Sequence, residues 1–159
     1  MRLTLIAVGR AKAGPAKELF DLYQKRLGNG RSGAGWSLSL KEVEEKKNLP
    51  AGQLKRREGE LLLSVVPKGA LIITLDERGK ELTSQSFSER MSRWQDDGHQ
   101  DVCFLIGGAD GLDDAVRAKA DFSICFGRMT WPHMLVRGLL AEQLYRASCI
   151  ASGHPYHRE

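Results

Sequence analysis

Five strand-like stretches alternate with five helix-like stretches along this chain, and that alternation restricts its possible folds more than any other feature. Ala70–Leu75 and Asp101–Ile106 are rich in apolar residues, as is typical of strands covered on both faces of a parallel sheet. The predicted strands are Arg2–Val8, Trp36–Leu40, Ala70–Leu75, Asp101–Ile106 and Asp121–Phe126. The predicted helices are Pro15–Leu27, Gln53–Val66, Thr83–Gln95, Gly111–Ala120 and Pro132–Ile150. We therefore predict an α/β fold with a mostly parallel sheet and helices on both faces.

The length and composition favour one compact domain over residues 1–159. The chain has 159 residues, of which 42% are hydrophobic, and it shows no internal repeat or linker-like segment. No apolar run approaches the roughly 18 residues of a membrane span, and the N-terminus reads as a strand rather than a signal peptide. We expect a cytoplasmic protein with no membrane association.

The cysteine pattern argues against both disulfides and zinc. Cys103, Cys125 and Cys149 are widely spaced, odd in number and in no Cys-x-x-Cys pair, so we expect three small buried hydrophobic side chains. The tail at residues 153–159 holds two histidines, but it lacks the carboxylate and the spacing usual for a zinc site. We predict no metal, and we expect the tail to dock either into a site or onto a partner chain.

The net charge of +4 and the pI of about 9.1 permit an anionic partner without requiring one. The charged segment Lys41–Asn48 is interpreted as an exposed loop or helix edge. The run Lys55-Arg56-Arg57 is interpreted as the solvated face of its helix. Charge alone therefore leaves open whether the chain binds nucleic acid.

Ligands of open α/β sheets bind beyond the carboxyl ends of the strands, and three such junctions stand out. Residues 75–80 form a charged turn that is ordinary for a surface loop. Residues 107–111 contain three glycines, which let a backbone approach a ligand closely or simply make a tight turn. Their G-G-x-x-G spacing and late position differ from the dinucleotide-binding fingerprint, so a nicotinamide- or flavin-dependent activity is disfavoured.

The third junction, residues 126–133, joins the last strand to the last helix. Pro132 is suited to starting that helix, and the Thr130 hydroxyl to capping nearby amides. His133 then falls in the first helical turn, where the helix dipole disfavours its protonation. His133 is therefore a candidate for catalysis as well as for a structural role.

Four segments in this order resemble the RlmH family of the SPOUT superfamily. They are LDERGK (75–80), FLIGGADG (104–111), MTWPHMLVRGLLAEQLYRA (129–147) and GHPYHRE (153–159). The resemblance covers essentially the whole chain and is most specific in its C-terminal quarter. Members of that family are S-adenosylmethionine-dependent enzymes that methylate N3 of a pseudouridine in large-subunit (23S) ribosomal RNA.

The resemblance implies a fold and a set of ligands that periodicity alone does not predict. It implies a deep trefoil knot in the C-terminal part, a feature almost absent from other proteins. It also implies a homodimer with the active site near its interface, S-adenosyl-L-methionine as cofactor, and ribosomal RNA within the assembled ribosome as substrate. The cofactor-binding positions implied are Leu75, Gly107, Gly108, Gly127, Arg128, Met129, Thr130, Trp131 and Pro132.

The chain departs from the family pattern at four places near the predicted site. Ala109-Asp110 stands where members often have Pro-Glu, Gly127 where they often have Ser, and Trp131 where they often have Leu. Asp110 keeps the negative charge on a shorter side chain. The loop backbones tolerate these changes.

We predict His133 as the catalytic base or orienting group and Arg158 as the group that stabilises negative charge on the uracil oxygens. Arg10, Lys12, Arg128, Arg137 and Arg146 are candidate phosphate contacts. Two alternatives remain open at this point: a SPOUT methyltransferase with another RNA target such as transfer RNA, and a non-enzymatic ribosome-binding module.

Overall fold

A computed structural model of the chain describes residues 1–29 and 33–157. The strands are β1 (Arg2–Val8), β2 (Ser37–Val43), β3 (Leu71–Glu81), β4 (Asp101–Ile106) and β5 (Phe122–Cys125). The helices are α1 (Pro15–Gly28), α2 (Ala51–Ser64), α3 (Ser84–Asp96), α4 (Asp114–Lys119) and α5 (His133–Ala151). In the described part of the chain the strands form one sheet in the order β2-β1-β4-β3-β5, and every pairing is parallel.

The sheet is covered on both faces because successive residues of its central strands point to opposite sides. On β1, Leu3, Leu5 and Ala7 pack into a large core shared with α1, α3 and α5, whereas Ile6 and Val8 pack into a smaller core shared with α2 and α4. The larger core includes Phe87, Met91 and Trp94, which lie on one face of α3. The predicted α/β fold with helices on both faces is confirmed.

The predicted end of the second strand was wrong because an edge strand of a sheet tolerates charged side chains. The strand predicted to end at Leu40 continues to Val43, so Lys41 and Glu42 lie in β2 rather than in a loop. Their backbone pairs with Ile6 and Ala7 of β1. Both residues are exposed, but their side chains still make contacts, Lys41 with Val65 O and Glu42 with Arg137. Alternation of apolar residues cannot mark such a segment, since the backbone pairing does not depend on apolar side chains.

The strand predicted to end at Leu75 also continues, after an interruption. Leu75 pairs with Ile124 of β5, the register then shifts, and Lys80 pairs with the same Ile124. The intervening residues 76–79 bulge out of the ladder at the carboxyl end of the sheet. The predicted helix Gly111–Ala120 is shorter than expected, because α4 begins at Asp114 after its N-cap Asp113.

The expectation that the cysteines are small buried side chains is confirmed. The three cysteines are unpaired and buried. Thr83 caps α3 by accepting a hydrogen bond from the backbone of Ser86. Among the residues that the structure covers, no helix is both long and apolar enough to cross a lipid bilayer.

The side chain of Arg137 is the largest fully buried one and links α5 to the ends of two strands. Its Nη1 donates to Glu42 Oε1 at 2.6 Å, and its Nη2 donates to the carbonyl oxygens of Val8 and Gly9 at 2.7 and 2.8 Å. Burial lowers the pKa of the guanidinium, and the carboxylate of Glu42 opposes that shift. The ion pair therefore fixes the first half of α5 against the carboxyl edge of the sheet.

We predict that Arg137→Met lowers the free energy of unfolding by about 3 kcal/mol or more, because it leaves the Glu42 carboxylate and two strand-end carbonyls without their donor. The matched control is Arg2→Met, which removes an exposed ion pair with Asp101 at 2.6 Å. That control should cost far less, because solvent screens an exposed ion pair. Urea denaturation measures both, and equal losses would contradict the role assigned to Arg137.

Candidate active site

A cavity of about 360 Å³ lies at the bulge of β3 and beyond the carboxyl ends of β4 and β5. The three strand-end junctions singled out in the sequence form its walls: residues 75–78, 106–112 and 126–131. Its volume lies within the range of about 300–1,000 Å³ usual for small-molecule sites. The parallel sheet brings these junctions together because all its strands end at the same edge.

Most of the sequence-predicted cofactor residues line this one cavity. They are Leu75, Gly107, Gly108, Gly127, Arg128, Met129, Thr130 and Trp131. Pro132 does not line it; it forms the N-cap of α5 and sets where that helix begins. The prediction that Thr130 caps this helix was wrong, since no side chain caps α5 and the Thr130 side chain is exposed.

The loop after β4 needs glycine at position 107 because two stretches of backbone meet there. A Cβ on Gly107 would lie 2.5 Å from the carbonyl carbon and oxygen of Gly111. The loop closes on itself through a hydrogen bond from Gly111 N to Gly108 O at 3.1 Å. The resulting wall presents backbone rather than side chains, so a planar or polar ligand can approach it closely.

The loop after β5 is held by weaker contacts and is more exposed. Cys125 Sγ donates to Gly127 O at 3.0 Å, and Trp131 Nε1 donates to Phe126 O at 3.3 Å. The side chain of Met129 is 75% exposed and that of Trp131 is 42% exposed. The loop therefore offers an apolar outer surface beside the cavity.

A second cavity of about 420 Å³ lies next to the first and shares part of this loop. Phe126, Gly127 and Trp131 line both, and Leu82 and Leu139 contribute apolar walls to the second. The loop after β5 therefore separates two adjoining depressions at the carboxyl edge of the sheet.

The sequence analysis did not predict an ion pair that forms part of the wall of the first cavity, at residues 75–78. Arg117 Nε donates to Asp76 Oδ2 at 2.8 Å, and the other Asp76 oxygen accepts from the backbone of Arg78 at 2.9 Å. The Asp76 side chain is only 4% exposed, and both members of the pair line the cavity. The polar turn after β3 looked ordinary in the sequence, because its partner lies 41 residues further along the chain.

His133 lies at the start of α5 and lines the same cavity as the glycine loop. Burial lowers the pKa of His133 below its ordinary value of 6.5, and the nearby guanidinium of Arg137 lowers it further. The imidazole is therefore mainly neutral at pH 7 and able to accept a proton. The sequence predicted that protonation would be disfavoured, and the structure adds burial and Arg137 as the causes.

The tail docks onto its own chain as far as His157. Tyr156 Oη lies 3.1 Å from Tyr23 Oη and 3.1 Å from Glu142 Oε1, and Arg146 Nη1 lies 3.3 Å from His157 Nδ1. Arg158, the second predicted catalytic residue, lies outside the described residues. Within the parts that the structure describes, no group of three or more His, Cys, Asp or Glu side chains is placed to hold a metal ion.

Comparison with known proteins assigns this chain to a class. The family described as "Predicted SPOUT methyltransferase" matches residues 1–157, and the chain belongs to that family. Its structure is similar to that of a probable methylase family protein from Haemophilus influenzae, with a TM-score of 0.50 and 12% identity over 99% of this chain and 70% of that one. At that identity the similarity supports the fold alone.

Curated relatives are similar over nearly their whole length. A protein of Rhodospirillum centenum is 55% identical, and one of Paramagnetospirillum magneticum is 57% identical, each over 158 residues and 99% of both chains. Both carry the name "Ribosomal RNA large subunit methyltransferase H". The predicted resemblance to this family is confirmed.

We predict that the His133 imidazole titrates below pH 6.5 in the folded protein, because burial and Arg137 both disfavour its charged form. Titration of its ring resonances by NMR, assigned with a His133→Asn variant, measures this pKa. The same imidazole in concentrated urea should return to its ordinary value. A folded-state pKa equal to the unfolded one would contradict the environment described here.

Proposed function

We propose that this chain is an S-adenosyl-L-methionine-dependent methyltransferase that modifies N3 of a pseudouridine in large-subunit (23S) ribosomal RNA, on assembled ribosomes. The observation that carries the proposal is the glycine-walled cavity at the carboxyl edge of the sheet, in a chain whose relatives are named as large-subunit ribosomal RNA methyltransferases. SPOUT methyltransferases use S-adenosylmethionine, and the cavity has the volume and the exposed backbone that a nucleoside cofactor requires.

The residues of the cavity fit such a cofactor. The wall at Gly107 and Gly108 carries no side chains and so exposes its backbone to the cavity, and Leu75 offers an apolar contact. When bound, S-adenosylmethionine supplies an electrophilic methyl group. Gly127, Arg128, Met129, Thr130 and Trp131 would form the opposite wall and exclude water from the reacting atoms.

His133 is the proposed proton acceptor. A pseudouridine N3 is a poor nucleophile while it holds its proton, and a positioned base contributes about 10²–10⁴-fold to such a reaction. The lowered pKa keeps the imidazole neutral at pH 7, so it is free to accept that proton. If His133 is the base, the methylation rate should fall at low pH. The pKa of that fall should equal the pKa that NMR measures for the His133 imidazole. The role of Arg158 on the uracil oxygens stays a prediction.

The proposal also includes a homodimer. The exposed large apolar side chains in the described part of the chain are Leu22, Met129 and Trp131, and two of these flank the cavity. Exposed apolar surface beside a site is typical of an interaction surface, which supports a homodimer with its active site near the interface. The trefoil knot, the single domain over residues 1–159 and the cytoplasmic location stay predictions.

Methyl transfer to ribosomes that lack the modification tests the substrate. The purified protein, given S-adenosylmethionine, should place a methyl group on a large-subunit pseudouridine, detected by mass spectrometry of digested RNA. Free 23S RNA and transfer RNA run in parallel and should react poorly. Efficient methylation of transfer RNA would instead favour a SPOUT enzyme with that target, and cofactor binding without transfer would leave the substrate unassigned.

The variant Gly107→Ala tests the cofactor wall. Its Cβ would meet the Gly111 backbone at 2.5 Å, so the loop must move apart, and we expect S-adenosylmethionine affinity to fall about 10-fold or more. Gly28→Ala is the matched control, because a Cβ there meets nothing within 4 Å. Isothermal titration calorimetry measures both. Absence of cofactor binding by the unaltered protein would favour a non-enzymatic ribosome-binding module.

A further inference from the structure

The segment 9–14, which joins β1 to α1, lies beside the candidate active site although it does not line the cavity. β1 and β4 are parallel neighbours, with Ala7 opposite Ile106, so this segment leaves the sheet at the same edge as the glycine loop. The proposed function requires a surface for RNA next to the reacting atoms. The segment 9–14 occupies such a position.

The start of this segment packs against the first turn of α5. Gly9 has a φ of +84°, and a Cβ on it would lie 3.2 Å from Met134 Cε and 3.9 Å from His133 Nε2. The backbone at Gly9 is therefore adjacent to the imidazole that lines the cavity. A group bound by the following residues lies within a short distance of His133.

The ion pair between the buried Arg137 and the partly exposed Glu42 holds the backbone of the segment in place. Glu42 Oε1 accepts hydrogen bonds from Ala11 N at 2.7 Å and from Arg137 Nη1 at 2.6 Å. The same guanidinium donates to the carbonyl oxygens of Val8 and Gly9. Because Arg137 is also one turn along α5 from His133, a single side chain sets the positions of both the segment and the imidazole.

The segment carries two exposed cations that the rest of the described chain leaves largely unengaged. Arg10 Nε lies 3.8 Å from Glu44 Oε2, beyond hydrogen-bonding distance, with the Arg10 side chain 75% exposed. Lys12 is exposed and has neither an ion pair nor a hydrogen bond within residues 1–29 and 33–157. Exposed cations on a fixed backbone bind phosphate with less loss of conformational freedom than cations on a mobile loop.

We propose that the segment 9–14 is a phosphate-binding lip of the active site. Arg10 and Lys12 bind backbone phosphates of the RNA next to the target nucleotide, and the Arg137–Glu42 pair holds them at a set distance from His133. This inference rests on the proposed function and adds the surface that positions its substrate. Arg10 and Lys12 are positioning residues for the RNA, and they take no part in the methyl transfer itself.

The double variant Arg10→Ala/Lys12→Ala tests the lip. With unmodified ribosomes we expect KM to rise about 10-fold or more, with kcat and S-adenosylmethionine affinity within about 2-fold of the unaltered protein. The plot of log(kcat/KM) against log salt concentration should also become shallower by roughly 1 for each phosphate that the variant no longer binds. Both substituted side chains are exposed, so the variant should keep its fold.

The matched control is Lys68→Ala/Arg93→Ala, which removes the same charge at the opposite edge of the sheet. Lys68 precedes β3 and Arg93 lies in the last turn of α3, and both are exposed. This control should leave KM and the salt dependence unchanged. The inference is overturned if the lip variant behaves as the unaltered protein does, or if the control variant is impaired to the same extent.

A second readout separates this inference from the proposed function. Cosedimentation with ribosomes measures binding without requiring methyl transfer. If the unaltered protein binds ribosomes but transfers no methyl group, the proposed activity fails, and the lip stands only if its variant alone loses ribosome affinity. If methyl transfer proceeds and the lip variant binds and reacts normally, the activity stands and the lip is rejected.

Discussion

The buried guanidinium of Arg137 is the interaction on which the arrangement of the carboxyl edge depends. It joins α5 to the ends of β1 and β2 through Glu42 and two backbone carbonyls. A buried charge is costly unless it is paired, and here the partners come from the ends of two neighbouring strands. The pair therefore specifies how the last helix sits on the sheet, and with it where His133 lies relative to the cavity.

The two loops that form the main walls of the cavity differ in how tightly they are held and how exposed they are. The loop after β4 is tightly closed, with the backbone of Gly107 against that of Gly111. The loop after β5 is exposed and has few hydrogen bonds of its own, with Met129 and Trp131 facing outward. The loop after β4 provides a firm backbone surface that can hold a cofactor. The exposed apolar loop after β5 leaves room for a large RNA substrate to approach that cofactor.

Much of the site was predictable because chain order determines it. Residues that follow parallel strands gather at one edge, so Leu75, the glycine loop and the loop after β5 were expected to meet, and they do. Contacts between distant residues were not predictable in the same way. The pairing of Asp76 with Arg117 produces no periodic pattern in the sequence. The continuation of the edge strand β2 through Glu42 produces none either.

The sequence by itself determined the alternation of strands and helices, the apolar central strands, the glycines at the strand ends and the resemblance to a methyltransferase family. These follow from local periodicity and from motifs that are contiguous in the chain. Only the tertiary structure decided that β3 resumes after its bulge, that Arg137 is buried, and that His133 lies beside Gly9. Those features depend on which distant groups pack together, and packing is settled by shape and charge in three dimensions rather than by local pattern.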